Sequence, residues 1–545
     1  MTPGSAWLGA SLALPLAMLL ACLSGRWRAS MSRGLVVAPL PALGAALFAS
    51  GASLKLPPLL LGFALLLDTP AALLLGAASL LWVGAGWYAD AWLRDRPDPG
   101  RFTVWWLLTL TGSIGVFMAA DLAGFYLMFT LVSLAAYGLV IDGGTLEVRR
   151  IGLIYVAFAI LGEAFLLLAF VMLVVAAPGV HTMIREAVAA LPTSPLRNAT
   201  LVLLVLGFGV KLGLVPLQSW MPLTYRAAPI PAAVVLSGAG VKAGVVGLLH
   251  FLPFHAAWPG WGETLTTIGL ISAFYGVVAG IAQSNPKAVL GYSSISQMGV
   301  ITAVLGIGLG SGNEGVALLV ACYAVNHTLV KGGLFVAVGV AQADAGRRMW
   351  SLLLPATVLA LGLGGLPLTG GWLAKLAVKP VLGSGVVGLL GSLSSAGTTL
   401  LMIHFLVRLA AVPAACPARS MLAVLRLTWL GLALASVVVP WIVVVTLLPG
   451  ALTNAVSLGS LAEAGWPVLV GGLLAAALSP WRHRMVGWDR ADAIVLRTTD
   501  TAARLGCEIG KSTEKLDLLL RRWPVAAILL LNLAALLAAL MLVTG

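Results

Sequence analysis

The sequence predicts an all-α protein that crosses a membrane many times, and three observations support this prediction. Of the 545 residues, 60% are apolar and only 9% are charged, whereas soluble domains carry roughly a quarter charged residues. The mean hydropathy is +1.04. Apolar runs of about twenty residues recur along nearly the whole chain, and each could cross roughly 30 Å of hydrocarbon as a helix. Backbone groups in lipid must bond to one another, which favours helices.

The apolar runs predict about sixteen membrane spans, with both termini on the same side. Their approximate positions are 5–24, 34–54, 70–93, 103–120, 121–141, 151–177, 198–220, 230–252, 265–284, 288–310, 315–341, 350–383, 385–411, 427–448, 464–480 and 523–543.

The 32 lysines and arginines are distributed unequally between the two sides of this arrangement. Outside the spans, only Lys55, Arg185 and Arg197 fall on the side of the N-terminus. The positive-inside rule therefore predicts a multi-pass protein of the bacterial inner membrane with a periplasmic N-terminus. The net charge of +13 follows from these loops and does not predict a nucleic-acid partner. The opposite, basic loops include Arg26, Arg28, Arg33, Arg94, Arg96, Arg101, Arg149, Arg150, Arg347 and Arg348.

The first apolar run argues against a signal peptide, and the cysteines argue against a metal site or a disulfide framework. No basic residue precedes the run at 5–24 and three arginines follow it, which is the reverse of a signal peptide, so we expect a retained helix. The four cysteines show no CxxC spacing. They predict no iron–sulfur cluster, zinc site or disulfide framework, and we expect no cofactor.

Two spans are interrupted in similar ways. Pro216 follows Lys211 within one span, and Pro367 lies among glycines before Lys375 within another. Proline removes a helical hydrogen bond, and a broken helix at membrane depth is tolerated where it lines a cavity. Paired interruptions predict a transporter built from inverted repeats. An ordinary proline kink is the alternative at either site alone.

The segment 481–522 differs from the spans because it is dense in charge. Apolar residues spaced among the charges predict an amphipathic helix along the cytoplasmic membrane surface, followed by a last span within 523–545. A solvated loop is the alternative for its glycine-containing half.

Ionisable side chains inside the spans are the candidate functional residues, because each costs at least about 2.5 to 3.5 kcal/mol in mid-bilayer. Burial disfavours the charged form and an opposite charge restores it, so a proton on one group changes the proton affinity of the next. We therefore predict ion translocation. Structural pairing or snorkelling is the alternative, and we favour it for Lys287 and Lys379 near span ends. The candidates are Glu163, Lys211, Lys242, His327, Lys331, Lys375 and His404.

Four motifs resemble a known family. They read GVKLGLVPLQSWMP at 209–222, NPKAVLGYSSISQMG at 285–299, HTLVKGGLF at 327–335 and GLPLTGGWLAK at 365–375. Their order and content resemble the proton-conducting antiporter-like subunits of respiratory complex I, Mrp antiporters (subunits A and D) and membrane-bound hydrogenases. The resemblance covers roughly residues 101–408.

The resemblance implies a core of fourteen helices in two inverted five-helix repeats, each with a broken helix, and a hydrated polar axis at mid-membrane. It implies that Lys211 is the first-repeat lysine and Lys242 the connecting lysine. It also implies that His327 and Lys331 form the second-repeat site, and that Lys375 is the terminal lysine.

The resulting domain prediction has six parts. These are N-terminal helices at 1–100, a first repeat at 101–255, a second repeat at 262–412, additional helices at 424–480, the amphipathic surface helix at 481–522 and a final helix at 523–545.

Three positions depart from the family pattern. Thr130 stands where the family has a glutamate, Gln218 where it has a histidine, and Asn285 where it has an aspartate. A buried lysine that holds a proton needs a negative partner, which Thr130 does not supply. We therefore expect Glu163 to approach Lys211 directly or through one water and to take over the modulating role.

The functional prediction is a subunit of a multisubunit membrane complex that translocates protons, with sodium ions as the alternative cargo. Its partners would be other membrane subunits and the lipid bilayer. Two alternatives stay open: a stand-alone cation/proton antiporter, and a structural subunit with a silent first half-channel in a complex such as an inorganic-carbon uptake assembly. No residue pattern indicates a catalytic centre.

Overall fold

The structure is a computed structural model that describes residues 2–56, 63–94, 96, 98–177, 183–343, 349–413, 419–448, 450 and 457–481. The predicted final span lies outside the described residues, and so does the predicted surface helix apart from its first residue.

The N-terminal part of the chain contains eight helices and one hairpin among its described residues. Its elements are α1 (Pro3–Ala21), α2 (Gly25–Ser32), α3 (Leu40–Phe48), β1 (Ser53–Lys55), β2 (Ala64–Leu66), α4 (Thr69–Leu93), α5 (Pro99–Met118), α6 (Leu122–Val140), α7 (Leu146–Ala176) and α8 (Ile184–Ala190).

The remaining described residues are again almost entirely helical. Their helices are α9 (Arg197–Leu212), α10 (Trp220–Ala227), α11 (Ile230–Val235), α12 (Lys242–Phe251), α13 (Pro259–Ile281), α14 (Pro286–Ser311), α15 (Val316–Ala343), α16 (Met349–Gly364), α17 (Gly370–Leu382), α18 (Val386–Ala410), α19 (Arg419–Leu447) and α20 (Leu458–Leu478).

The predicted fold class is confirmed. Twelve helical segments of the described chain are long and apolar enough to cross a membrane, and each coincides with a predicted span. The predicted span 350–383 is divided into two helices, α16 and α17, whereas the predicted span 198–220 contains α9 and the break after it and ends at the first residue of α10. The described residues contain one sheet, formed by two antiparallel strands.

The predicted span at 34–54 was wrong in its extent. Only nine of its residues form α3, because Gly51 takes a φ of +83° and turns the chain into β1. β1 pairs with β2, with Ser53 opposite Leu66. The carboxylate of Asp121 fastens this hairpin to the helical body, because Oδ2 accepts from Ala64 N at 2.9 Å.

Two helices pack closely where glycines face each other in α13 and α14. A methyl group added at Gly269 would lie 2.6 Å from Gly299 O, and one at Gly299 would lie 2.5 Å from Gly269 O. The two backbones are therefore in direct contact. Such small-residue interfaces suit membrane helices, whose association depends on close van der Waals packing.

The first break separates α9 from α10 at residues 213–219 and contains Pro216. α9 ends at Gly213, whose φ of +69° is left-handed, as expected of a glycine at a helix end. Trp220 Nε1 donates to Val210 O at 2.8 Å, and Val215 N donates to Ser272 Oγ at 3.0 Å. Side chains thus satisfy backbone groups that the break releases.

The second break separates α16 from α17 at residues 365–369 and contains Pro367. Gly365 and Leu368 both have positive φ values, +104° and +66°. Trp441 Nε1 donates to Leu368 O at 3.2 Å, so an indole N–H again satisfies a carbonyl beside a break. The Thr369 side chain caps the start of α17.

Asp68 joins three elements on the side of the β-hairpin. It caps α4 by accepting from Ala71 N at 2.9 Å, and its Oδ2 lies 3.3 Å from His250 Nε2 and 3.6 Å from an Arg185 guanidinium nitrogen. Burial alone raises the pKa of Asp68. The hydrogen bond and charge of His250, the Ala71 N–H and the charge of Arg185 outweigh it, lowering the pKa from 3.8 to about 2.

We expect Asp68→Asn to lower the free energy of unfolding by about 2 kcal/mol at pH 7. A lowered folded-state pKa adds stability that is complete above the unfolded-state pKa near 4 and is lost as the pH falls through about 2. Thermal denaturation of the purified chain at pH 6 and pH 3 should therefore show a smaller difference at pH 3. Asp98→Asn, at the exposed cap of α5, is the matched control. A pH-independent difference would contradict the assignment.

Candidate functional site

The first group of buried ionisable residues consists of Glu163 in α7 and Lys211 in α9. Their side chains are 6% and 9% exposed and interact electrostatically. Lys211 Nζ donates to Ser133 Oγ at 2.9 Å, and the Glu163 carboxylate lies beside the hydroxyls of Ser133 and Thr130. Among the described residues no ion pair within 4.0 Å joins Glu163 to Lys211, so Ser133 of α6 connects the two charges.

Two glycines bring Glu163 to this position. A methyl group at Gly207 would lie 2.5 Å from Leu166 Cγ and 3.0 Å from Gly162 O, and one at Gly162 would lie 3.3 Å from Gly207 O. α7 and α9 therefore approach closely next to Glu163. Gly162 and Gly207 leave room for the side chains of Val210 and Leu166 on the opposite helix, which lets the helices that carry the carboxylate and the ammonium group lie side by side.

The second group consists of Lys242, His327 and Lys331, all 0% exposed. Lys242 Nζ lies 2.8 Å from His327 Nδ1. Lys331, one turn after His327 in α15, donates from Nζ to Leu290 O in α14 at 2.9 Å. The two lysines also repel each other. The second group thus connects α12, α15 and α14 through polar contacts.

The contact between Lys242 and His327 restricts the protons that the pair can hold. A protonated lysine is only a donor, and a doubly protonated imidazole is only a donor as well. At 2.8 Å one partner must accept, so the pair cannot carry both charges while this contact is formed. If Lys242 is charged, Nδ1 accepts; if Lys242 is neutral, its amine can either donate to Nδ1 or accept from a protonated Nδ1.

A distortion in the preceding helix places Lys242 opposite His327. Residues Leu236–Gly240 form a π-helical turn between α11 and α12, and Lys242 is the first residue of α12. A methyl group at Gly238 would lie 2.1 Å from Leu81 Cδ2 and 3.0 Å from Thr328 O. The turn therefore packs directly on α4 and α15. π-turns within α-helices are frequent at functional sites.

The two groups are adjacent through α12. A methyl group at Gly244 would lie 3.2 Å from Lys211 Cβ, and Gly244 follows Lys242 by two positions. Lys211 and Lys242 therefore extend from helices in direct contact. Buried polar atoms without a hydrogen-bond partner among the described residues lie along this region, and ordered water commonly satisfies such atoms. They include Thr130 Oγ1, Glu163 Oε1, Gln218 Oε1, Ser296 Oγ and His327 Nε2.

Lys375 lies at the second break. Its Nζ donates at 2.7 Å to the carbonyl of Gly364, the last residue of α16. It lines a cavity of about 320 Å³ together with Gln297 and Tyr323. Tyr323 Oη donates to Gln297 Oε1 at 2.7 Å, and Gln297 Nε2 donates to Thr398 Oγ1 at 3.1 Å. Lys375 therefore borders a cavity whose largely apolar wall carries several polar groups.

Two further basic residues lie outside these groups. His404 Nε2 is 2.8 Å from Gln283 O in the turn after α13, so His404 is near the end of its span and not at its centre. Lys379 pairs with Glu463 of α20, and both side chains are about half exposed. Exposed pairs of this kind contribute little stability.

Several residues of the site were missed by the sequence analysis, notably Ser133, Gln297, Tyr323 and Glu463. A signal existed for Ser133, because Thr130 and Ser133 are three residues apart and share one helix face. None existed for Gln297 and Tyr323, whose contact joins two different helices. No group of three or more candidate metal ligands occurs among the described residues.

Comparison with known proteins identifies related chains. Residues 119–400 match the family model described as NADH:quinone oxidoreductase/Mrp antiporter, transmembrane. NADH-quinone oxidoreductase subunit N of Desulforudis audaxviator is 31% identical over 340 residues, which are 58% of this chain and 65% of that protein. Hydrogenase-4 component B of Escherichia coli is 28% identical over 287 residues, 50% of this chain and 42% of that one. The matches thus span less than two thirds of these relatives.

A solved structure shares the fold. The chain matches the Mrp complex from Dietzia sp. with a TM-score of 0.72 and 22% identity, over 99% of this chain and 63% of that one. At this identity the likeness establishes the fold alone.

The proximity of Glu163 and Lys211 predicts thermodynamic coupling between them. Glu163→Gln or Lys211→Met alone leaves one buried charge without its partner. The losses of unfolding free energy in the two single variants should therefore add up to more than the loss in the double variant. We expect a coupling of about 1 to 3 kcal/mol in a double-mutant cycle of unfolding free energies in mixed micelles. Glu163→Gln combined with Lys375→Met should be additive. Additivity in the Glu163–Lys211 cycle would show that these two charges do not interact.

Proposed function

Because the chain belongs to the NADH:quinone oxidoreductase/Mrp antiporter transmembrane family, we propose that it translocates protons across a membrane as one subunit of a larger complex. The observation that carries the proposal is the contact of 2.8 Å between Lys242 Nζ and His327 Nδ1 in a fully buried site. A proton can be exchanged between these two nitrogens without any movement of the helices.

In the second group, electrostatic repulsion between the lysines links proton uptake at one to proton release at the other. When Lys242 is charged, it repels a charge on Lys331, so a proton arriving on one lysine favours release from the other. His327 lies four residues before Lys331 on the same helix and contacts Lys242 directly. Histidine exchanges protons readily near neutral pH, which suits it to connect the lysines.

The first group supplies a proton site with its own counter-charge. Glu163 holds Lys211 in its charged form, and the Ser133 hydroxyl between them both accepts and donates hydrogen bonds. Motion that separates the carboxylate from Lys211 releases the proton toward Lys242 on the adjoining helix. Glu163 thereby acts as the negative partner of Lys211, a role that Thr130 cannot perform because it has no charge.

Lys375 and its cavity form the next site. The Tyr323–Gln297–Thr398 hydrogen bonds provide polar groups along the cavity wall, and the volume of about 320 Å³ accommodates several waters. A proton on Lys375 can reach solvent through such a hydrated space. Pro216 and Pro367 keep the two breaks open beside Lys211 and Lys375.

The partners follow from the relatives that the chain resembles. Subunit N and component B are named as parts of an oxidoreductase and a hydrogenase, and the matching fold occurs in an Mrp complex. We propose that this chain is likewise embedded among other membrane subunits. The unequal distribution of the basic loops supports a bacterial inner membrane location with the N-terminus on the periplasmic side.

We expect Lys211→Ala and Lys331→Ala each to reduce proton transport at least about tenfold, which corresponds to a barrier about 1.4 kcal/mol higher. Both substitutions remove a buried proton carrier and should leave assembly largely intact. The measurement is proton uptake by proteoliposomes containing the complex purified through this chain. Lys55→Ala, in the exposed part of β1, is the control. Transport at the wild-type rate in either variant would contradict the assignment.

We expect Glu163→Gln to impair transport, because Gln keeps the shape of the side chain but cannot stabilise charged Lys211. Adding Thr130→Glu to Glu163→Gln should restore part of the rate, since residue 130 faces the same site. Proton uptake of the two variants is compared with that of the wild type. Normal transport by Glu163→Gln, with no effect of Thr130→Glu, would instead indicate a first half-channel that does not conduct.

A further inference from the structure

A second pocket lies on the side of the protein that carries the basic loops, apart from the buried ionisable groups. It has a volume of about 320 Å³ and lies where the ends of α4, α11, α14, α15 and α19 meet. Its polar lining includes Tyr88, Arg96, Lys287 and Gln342, and its apolar lining includes Trp92 and Ile230. A single water needs only about 10–15 Å³, so the pocket is large enough for a sizeable chemical group.

The pocket contains a cation without a carboxylate partner. Lys287 Nζ donates to Ala228 O at 2.8 Å, and no carboxylate lies within 4.0 Å of it in the described part of the chain. Its helix is capped by Asn285, whose neutral Oδ1 accepts from Lys287 N at 2.9 Å. An ammonium group that is partly removed from water without a counter-charge favours the binding of an anion.

The hydroxyl of Tyr88 is directed into the same pocket. Tyr88 is only 3% exposed, and its Oη makes no hydrogen bond within the described residues. Oη lies so close to Gly339 that a methyl group there would be 2.9 Å away, so the absence of a side chain at Gly339 leaves room for the hydroxyl. A hydroxyl that lines the pocket and makes no hydrogen bond within the described residues can donate to an oxyanion.

Arg96 adds a second positive charge to the pocket rim. Its guanidinium lies 3.9 Å over the Trp92 ring and 3.2 Å from Asp142, which also pairs with Arg101 at 3.5 Å. One carboxylate is therefore shared by two arginines. Among the described residues, these two arginines exceed the charge of Asp142 by one positive charge.

We propose that this pocket binds the phosphate-bearing headgroup of an anionic phospholipid. Lys287 and Tyr88 donate to the phosphate oxygens, Arg96 supplies charge at the rim, and Gln342 is placed to contact the headgroup. The indole of Trp92 and the side chain of Ile230 face the glycerol and the first acyl carbons. Basic pockets between helix ends on the cytoplasmic side suit such lipids, because that leaflet is negatively charged. The mixed polar and apolar lining favours a lipid over a soluble anion.

The test measures retention of tritium-labelled phosphatidylglycerol by the delipidated, detergent-purified full-length chain. Tyr88→Phe keeps the ring and removes one donor, and Lys287→Gln keeps a donor but removes the charge. Each should weaken binding about tenfold, the effect of one lost hydrogen bond to a charged group. Arg149→Gln, exposed on the same side but outside the pocket, should bind as the wild type does.

Competition distinguishes the sources of the phosphate. Unlabelled phosphatidylglycerol should displace the label, whereas phosphatidylcholine and inorganic phosphate at equal concentration should not. Unchanged binding in both Tyr88→Phe and Lys287→Gln would overturn the proposal. Equal displacement by phosphatidylcholine would show that charge does not select the lipid, and displacement by inorganic phosphate would show a soluble-anion site. Either result would also overturn it.

Discussion

The contact between Lys242 and His327 is the constraint on which the centre of this protein depends. Both side chains are fully buried, and a charged amine in hydrocarbon requires a polar partner. The two nitrogens lie 2.8 Å apart where α12 begins at Lys242, directly after the π-turn. Gly238 lets that turn lie against α4 and α15. The packing of these three helices therefore positions Lys242 beside His327. The hydrogen bond between them limits the pair to one charge.

The two breaks obey a similar constraint on the backbone. A carbonyl released in the membrane must find a donor. Tryptophan indoles donate to a carbonyl at each break, Trp220 to Val210, which also accepts from Gly213 N, and Trp441 to Leu368. At the second break Lys375 also donates to Gly364 O. The lysine thus satisfies the backbone and carries the charge, so loss of its proton also weakens the bond that holds the break. Under the proposed function, proton movement at Lys375 would therefore be coupled to the local conformation of the break.

The first and second groups of buried ionisable residues differ in how their positive charges are stabilised. Lys211 has a carboxylate nearby, Glu163, with a serine hydroxyl between them. Lys242, His327 and Lys331 have no carboxylate near them in the part of the chain that the structure describes, and only mutual repulsion and neutral acceptors set their charge. The first group therefore stabilises a proton, and the second cannot hold several at once. The two groups therefore differ in how strongly each one stabilises a bound proton.

The sequence by itself determined the membrane class, most spans and the identity of the buried ionisable residues. Hydrophobic length and the cost of a charge in lipid are properties of single segments, so Lys211, Lys242 and Lys331 can be recognised without a structure. The tertiary structure alone decided which groups meet. Ser133 stands between Glu163 and Lys211 because Gly162 and Gly207 let α7 and α9 touch. Tyr88 and Lys287 share a pocket although 199 positions separate them in the chain. Contacts between helices depend on their rotation and separation, which small residues at distant positions set together and which no single apolar run encodes.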